Sequence, residues 1–97
     1  MFKIFLTSEA DQNLKGLKAN KSLEKRYKAA VKSLQYLSEN PRHPGLQTHA
    51  FESLSGPNGE KVFEAYAEQN TPAAYRIFWF YGPRKGAITV FAITQHP

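Results

Sequence analysis

The stretch Tyr75-Arg76-Ile77-Phe78-Trp79-Phe80-Tyr81, then Gly82-Pro83-Arg84-Lys85-Gly86, then Ala87-Ile88-Thr89-Val90-Phe91-Ala92-Ile93-Thr94-Gln95-His96-Pro97, decides how this chain is built. The two flanking runs are β-rich, and the residues between them combine glycine with proline. That pattern predicts a β-hairpin. Side chains alternate along a strand, so Arg76 shares a face with Phe78 and Phe80, while Tyr75, Ile77, Trp79 and Tyr81 take the other. Either face could be the covered one. The hairpin also sets a fixed cation, Arg76, and a titratable imidazole, His96, on neighbouring strands. An imidazole moves protons near neutral pH, and a guanidinium clamps phosphate. On a small basic protein this pair points towards RNA phosphate chemistry.

Upstream of the hairpin, Val62 to Glu68 reads as a further strand, joined to it by Gln69 to Ala74. Residues 40–60 hold Pro41, Pro44, Pro57, Gly45, Gly56, Gly59, His43 and His49 and read as irregular, with Leu46, Phe51 and Leu54 as anchors to the core. Further back, Leu23, Tyr27, Ala30, Val31, Leu34 and Leu37 form a helical stripe that stops before Pro41. Ala10, Leu14 and Leu17 make a shorter helix over 9–19, with Ser8 as its N-cap and Asp11 in a capping-box position. Residues 2–7 look like a first strand. Two successive helices with a short connection predict an antiparallel pair. The predicted layout is one α+β domain over residues 1–97: an N-terminal strand, a helix pair, then a three-stranded antiparallel meander.

The totals fit this picture. The chain has 97 residues, 41% of them hydrophobic, which suffices for one core. It has no cysteine, so no disulfide or thiolate metal site, which suits a reducing cytoplasm. The start, Met1 to Leu6, is too short for a signal h-region, and no apolar run approaches the ~20 residues of a membrane span. Net charge is +5, and the excess falls early: Lys15, Lys18, Lys21, Lys25, Arg26, Lys28 and Lys32 face a single acid, Glu24, between residues 13 and 32. Lys21, Lys25, Lys28 and Lys32 run along the side of the second helix opposite its apolar stripe. Such a block binds nucleic acid or an acidic partner, or is simply a solvated face.

Several chemistries find no support. His43, His49 and His96 do not match helix or finger spacing for a metal, so no metal and no cofactor are expected. There is no P-loop, GxGxxG or nucleophile elbow. Glu64 and Glu68 lie four apart on one strand, too far apart for a glycosidase pair. Glu64, His96 and Arg76 would instead complete an acid, base and cation set if they share a groove. RNA cleavage by its own 2′-hydroxyl needs such a set and no metal.

The chain resembles the RelE/ParE toxin superfamily of bacterial toxin–antitoxin systems. The resemblance spans most of the chain. It rests on the helix pair followed by Asn40-Pro41-Arg42-His43-Pro44-Gly45-Leu46, on Val62-Phe63-Glu64-Ala65, on Tyr75-Arg76-Ile77 and on Ile93-Thr94-Gln95-His96-Pro97. It implies a twisted antiparallel sheet with a concave face, and a toxin that cuts messenger RNA on the ribosome, held in check by a small acidic antitoxin in the cytoplasm. The alternative it implies is a ParE-like inhibitor of DNA gyrase, or a non-catalytic orphan on the same scaffold. By position, Arg76 matches the phosphate-stabilising arginine, His96 the C-terminal histidine acid or base, and Glu64 a carboxylate base. His43 and His49 match loop histidines loosely and compete with Glu64 for the role of base. With Lys61 and the helix lysines they would bind RNA. Departures are the absence of a tyrosine after His96 and of a lysine pair on Val62–Glu68, where Lys61 is the only nearby candidate.

Overall fold

The computed structural model describes residues 1–68 and 74–95. Strand β1 (Lys3–Leu6) leads into helix α1 (Ser8–Ala19). The cap is Thr7, one residue before the predicted Ser8. Thr7 keeps the extended backbone of β1, and its hydroxyl accepts the Ala10 N–H at 3.2 Å. The same hydroxyl donates to the Phe91 carbonyl at 3.3 Å, so the cap also ties the helix to the sheet. The predicted break at 20–22 is a short 3₁₀ turn, Lys21–Leu23, capped by the Asn20 side chain, before helix α2 (Glu24–Glu39). Asn40 turns extended ahead of Pro41, which ends α2 where the proline requires.

The inward stripe of α2 is centred on Ala30, Ser33 and Leu37. Val31, predicted to face the core, is 41% exposed. Ser33 takes the inward position because its hydroxyl can donate to the Tyr66 carbonyl at 3.5 Å, which satisfies a polar group at a buried site.

The sheet departs from the predicted three-stranded meander. Residues 40–60 are not wholly irregular: a 3₁₀ turn, Pro44–Leu46, leads into strand β2 (His49–Ser55). Strands β3 (Lys61–Tyr66), β4 (Tyr75–Tyr81) and β5 (Ala87–Gln95) follow. The order is β1-β5-β4-β3-β2. β2 through β5 form a four-stranded antiparallel meander, and β1 pairs parallel to β5. The sheet is therefore mixed and five-stranded. The predicted turn between the last two strands is present, with Gly82 and Gly86 both at positive φ, a conformation that glycine adopts without penalty. Most of the predicted Gln69–Ala74 connection, residues 69–73, lies outside the described residues, as do His96 and Pro97.

The helices cover the face of β4 that carries Ile77 and Trp79. These two pack with Ala10, Leu17, Ala30, Leu37 and Leu46. The opposite face is also dry at Phe78 and Phe80, which lie against Phe51 and Phe91 with ring centroids 5.1–6.3 Å apart. A bulge makes both faces possible. Phe78 pairs with Ala92 but Trp79 pairs with Val90, so Phe91 is an extra residue in β5. The extra residue lets Ile88, Val90 and Ile93 all join the helix-side core. The Ile93 N–H is taken up by Asn13 Oδ1 of α1 at 3.0 Å.

Candidate functional site

Strand register brings three elements together. His49 of β2 lies opposite Glu64 of β3, and Tyr66 of β3 lies opposite Arg76 of β4. Ala65 and Ile77 belong to the helix-side core, so their neighbours Glu64, Tyr66 and Arg76 project from the other face.

Glu64 is fully buried. Its Oε1 lies 2.7 Å from His49 Nε2, and its Oε2 lies 4.0 Å from Arg76 Nε. The Arg76 guanidinium sits 3.8 Å from the centre of the Tyr66 ring, and the His49 ring meets Tyr66 edge-on at 5.8 Å. Arg76 is thus a stacked and paired cation with a side chain only 13% exposed, whereas the His49 side chain is 47% exposed. The second nitrogen of His49, Nδ1, lies 3.0 Å from the Gln47 carbonyl. Both ring nitrogens therefore face oxygen. The arrangement is satisfied by an imidazolium beside a carboxylate, or by a neutral Nδ1–H ring beside a protonated carboxyl. Either way one proton is shared between an exposed imidazole and a buried carboxyl, and a guanidinium is held behind them.

Of the residues singled out in the sequence, Glu64 and Arg76 come together as their strand positions suggested. His49 joins them because of β2, a strand that the sequence pattern does not announce. His43 lies elsewhere, its ring stacked on Tyr36 at 4.0 Å and its Nδ1 accepting the Gly45 N–H. His43, His49 and Lys61 do meet along a cleft of about 500 Å³ beside residues 41–48. Lys21, Lys25, Lys28 and Lys32 are exposed on the helical layer, across the sheet from Glu64. Lys28 pairs with Glu24 at 3.4 Å, and Lys32 lies 5.6 Å over Tyr36.

Two participants are not visible in the sequence. Tyr66 is one; its position opposite Arg76 follows only from strand register. Arg26 is the other. It pairs with Glu68 at 3.5 Å and stacks on Tyr75 at 5.0 Å, while the same carboxylate oxygen accepts the Tyr75 N–H. Unlike its lysine neighbours, Arg26 therefore joins α2 to the sheet. Among the described residues there is no group of three or more acidic or histidine side chains placed to hold a metal, and no helix long and apolar enough to cross a membrane.

The same arrangement of elements recurs in solved structures. A YoeB/ParE toxin from Agrobacterium tumefaciens superposes with a TM-score of 0.71 at 8% identity, over 99% of this chain and 100% of that one. The chain has a RelE/ParE-like toxin fold. A metal-bound toxin from Helicobacter pylori matches at 0.68 and 18% identity, over 99% of this chain and 96% of that one. A chain of an archaeal RelE–RelB complex from Pyrococcus horikoshii matches at 0.61 and 14% identity, over 97% of this chain and 93% of that one. No family model and no curated protein sequence matches the chain. On the RelE/ParE-like scaffold the His49–Glu64–Arg76 cluster occupies the sheet face that the helices leave uncovered.

Proposed function

We propose that this protein is the toxin of a toxin–antitoxin pair and cuts messenger RNA on the ribosome without a metal. The observation that carries the reading is the half-exposed His49 imidazole bonded to buried Glu64 with Arg76 behind it. His49, the exposed member, keeps its Nε2–H on the Glu64 carboxylate and, once Nδ1 turns off the Gln47 carbonyl, takes the proton of an RNA 2′-hydroxyl on Nδ1. The 2′ oxygen attacks the adjacent phosphorus and the bond to the 5′ oxygen breaks, leaving a 2′,3′-cyclic phosphate and a 5′-hydroxyl. Glu64, being buried, orients the ring and balances its charge. Arg76 steadies the negative charge of the crowded phosphate, which requires Tyr66 to swing off the guanidinium. His96, assigned from sequence alone and outside the described residues, supplies the proton to the leaving oxygen.

Two further features support this reading. The net charge of +5 suits both RNA and a small acidic antitoxin. A similar fold is bound to RelB in the archaeal complex, and a corresponding antitoxin here would act in the cytoplasm.

The test is induced expression in bacteria with mapping of message ends. His49→Ala, His96→Ala and Arg76→Ala should each abolish cleavage, with folding confirmed by circular dichroism. Growth arrest with intact messages and damaged DNA would instead favour gyrase inhibition. Activity in a ribosome assay should survive removal of transition metals with magnesium retained. Loss on zinc removal and return on zinc addition would make His49 Nε2 and Glu64 Oε1 metal donors and overturn the metal-free route.

A further inference from the structure

The cleft beside residues 41–48 is distinct from the acid–base cluster. Its floor is Phe63, Trp79 and Tyr81, on the helix side of the sheet. Phe63 stacks on Trp79 with centroids 4.8 Å apart, and Tyr81 meets both rings edge-on at 5.7 and 4.9 Å. Tyr81 is 44% exposed, an unusual exposure for a large ring at the end of a buried strand. The Lys61 ammonium hangs 5.9 Å over Phe63, and exposed Arg42 stands on the rim. The Trp79 indole N–H is buried with no acceptor among the described residues. Among those residues, no acidic side chain lines the cleft. His49 lines it and also belongs to the Glu64 cluster, so the cleft and the cluster meet at one side chain.

An aromatic floor beneath two cations is the chemistry that holds a single-stranded nucleotide, the base by stacking and the phosphate by charge. A volume of about 500 Å³ is of the size of small-ligand sites. We propose that this cleft binds one nucleotide of the RNA next to the scissile phosphate, with its base against Phe63 and Tyr81 and its phosphate between Lys61 and Arg42. The proposal rests on the nuclease reading for the identity of its ligand. It assigns to the cleft a choice of base at one position beside the cut.

Trp79 is the only tryptophan, so its emission reports on the cleft floor. The probe is hexadeoxyuridylate, which lacks the 2′-hydroxyl and cannot be cut, titrated into the full chain with calorimetry in parallel. Trp79 emission should change with the same midpoint as the heat. Tyr81→Ala and Lys61→Gln should each weaken binding by about fivefold or more, while Tyr81→Phe, which keeps the ring, should stay within about twofold. Binding with flat emission, no binding at all, or equal affinities across the variants would each overturn the cleft. A response to a polyglutamate peptide but not to the oligonucleotide would overturn it in favour of an acidic protein partner. The cleavage assay separates the two readings. Loss of cleavage in His49→Ala, with binding unchanged in Tyr81→Ala and Lys61→Gln, would sink the cleft and leave the nuclease. Cleft-dependent binding without message cleavage by the intact protein would do the reverse.

Discussion

Glu64 and Arg76 lie on adjacent strands with a carboxylate oxygen 4.0 Å from a guanidinium nitrogen, both largely withdrawn from water. Neither charge has bulk solvent to fall back on. Glu64→Ala should therefore cost roughly 3–5 kcal/mol, because it strands a buried cation against Tyr66. Arg76→Met in the Glu64→Ala background should recover part of that loss. Urea denaturation of the two single variants and the double variant measures the coupling. Additive losses would mean that the two charges do not sense each other.

The basic helix divides into two kinds of residue. Replacing Lys21, Lys25, Lys28 and Lys32 with Gln should leave thermal stability nearly unchanged, within about 0.5 kcal/mol per site. On the proposed nuclease reading, ribosome binding should weaken, and log K should fall less steeply with log salt, the slope easing by up to about 0.7–0.9 for each phosphate that is no longer neutralised. Arg26→Gln should behave differently and destabilise by about 1 kcal/mol, since it removes both the Glu68 pair and the Tyr75 stack. Unchanged affinity and salt slope in the fourfold variant would return the lysines to a solvated face.

The bulge at Phe91 depends on a partner from α1. Asn13→Ala removes the acceptor of the Ile93 N–H and should cost about 1–3 kcal/mol, the penalty of an unsatisfied buried donor. Hydrogen exchange at Ile93 should quicken well before global unfolding does. Slow exchange in the variant would show that the bulge holds without the side chain.

Glu60 closes the turn between β2 and β3. The Asn58 backbone N–H donates to its carboxylate at 2.7 Å and lowers its pKa below the usual 4.5. A lowered folded-state pKa means that the contribution is whole above about 4.5 and is lost as pH falls through the folded value. Protection of the Asn58 and Gly59 amides, measured against the intrinsic exchange rate at each pH, should fall on acidification in that window. In Glu60→Gln that protection should barely change across the same range.

The strongly patterned elements are legible in the sequence. β4 and β5 carry dense aromatic and β-branched runs, and α2 carries a long stripe ended by a proline. β2 is not legible, because His49-Ala50-Phe51-Glu52-Ser53-Leu54-Ser55 is an edge strand with one neighbour, mostly exposed, with a register shift after Ala50. Such a strand buries too little to leave a clean alternation. The site inherits that gap. Glu64 and Arg76 can be named from strand positions, but His49 reads as a loop residue, and only the pairing of β2 with β3 sets it against Glu64. Val31 and Ser33 exchange roles for a different reason: apolar periodicity cannot see a carbonyl waiting for a hydroxyl.

β5 is the last of the described strands in sequence, yet it lies inside the sheet, with β1 on one side and β4 on the other. The N-terminal strand must therefore wait, unpaired, through the synthesis of nearly all the residues between them before its neighbour exists. Closing so long a loop is slow, and it cannot precede translation of the residues that close it. A chain still tethered to the ribosome before β5 emerges has neither a finished core nor a rigid face beneath Arg76. The face beneath Arg76 is thus completed only once β5 has been made and has taken its place between β1 and β4.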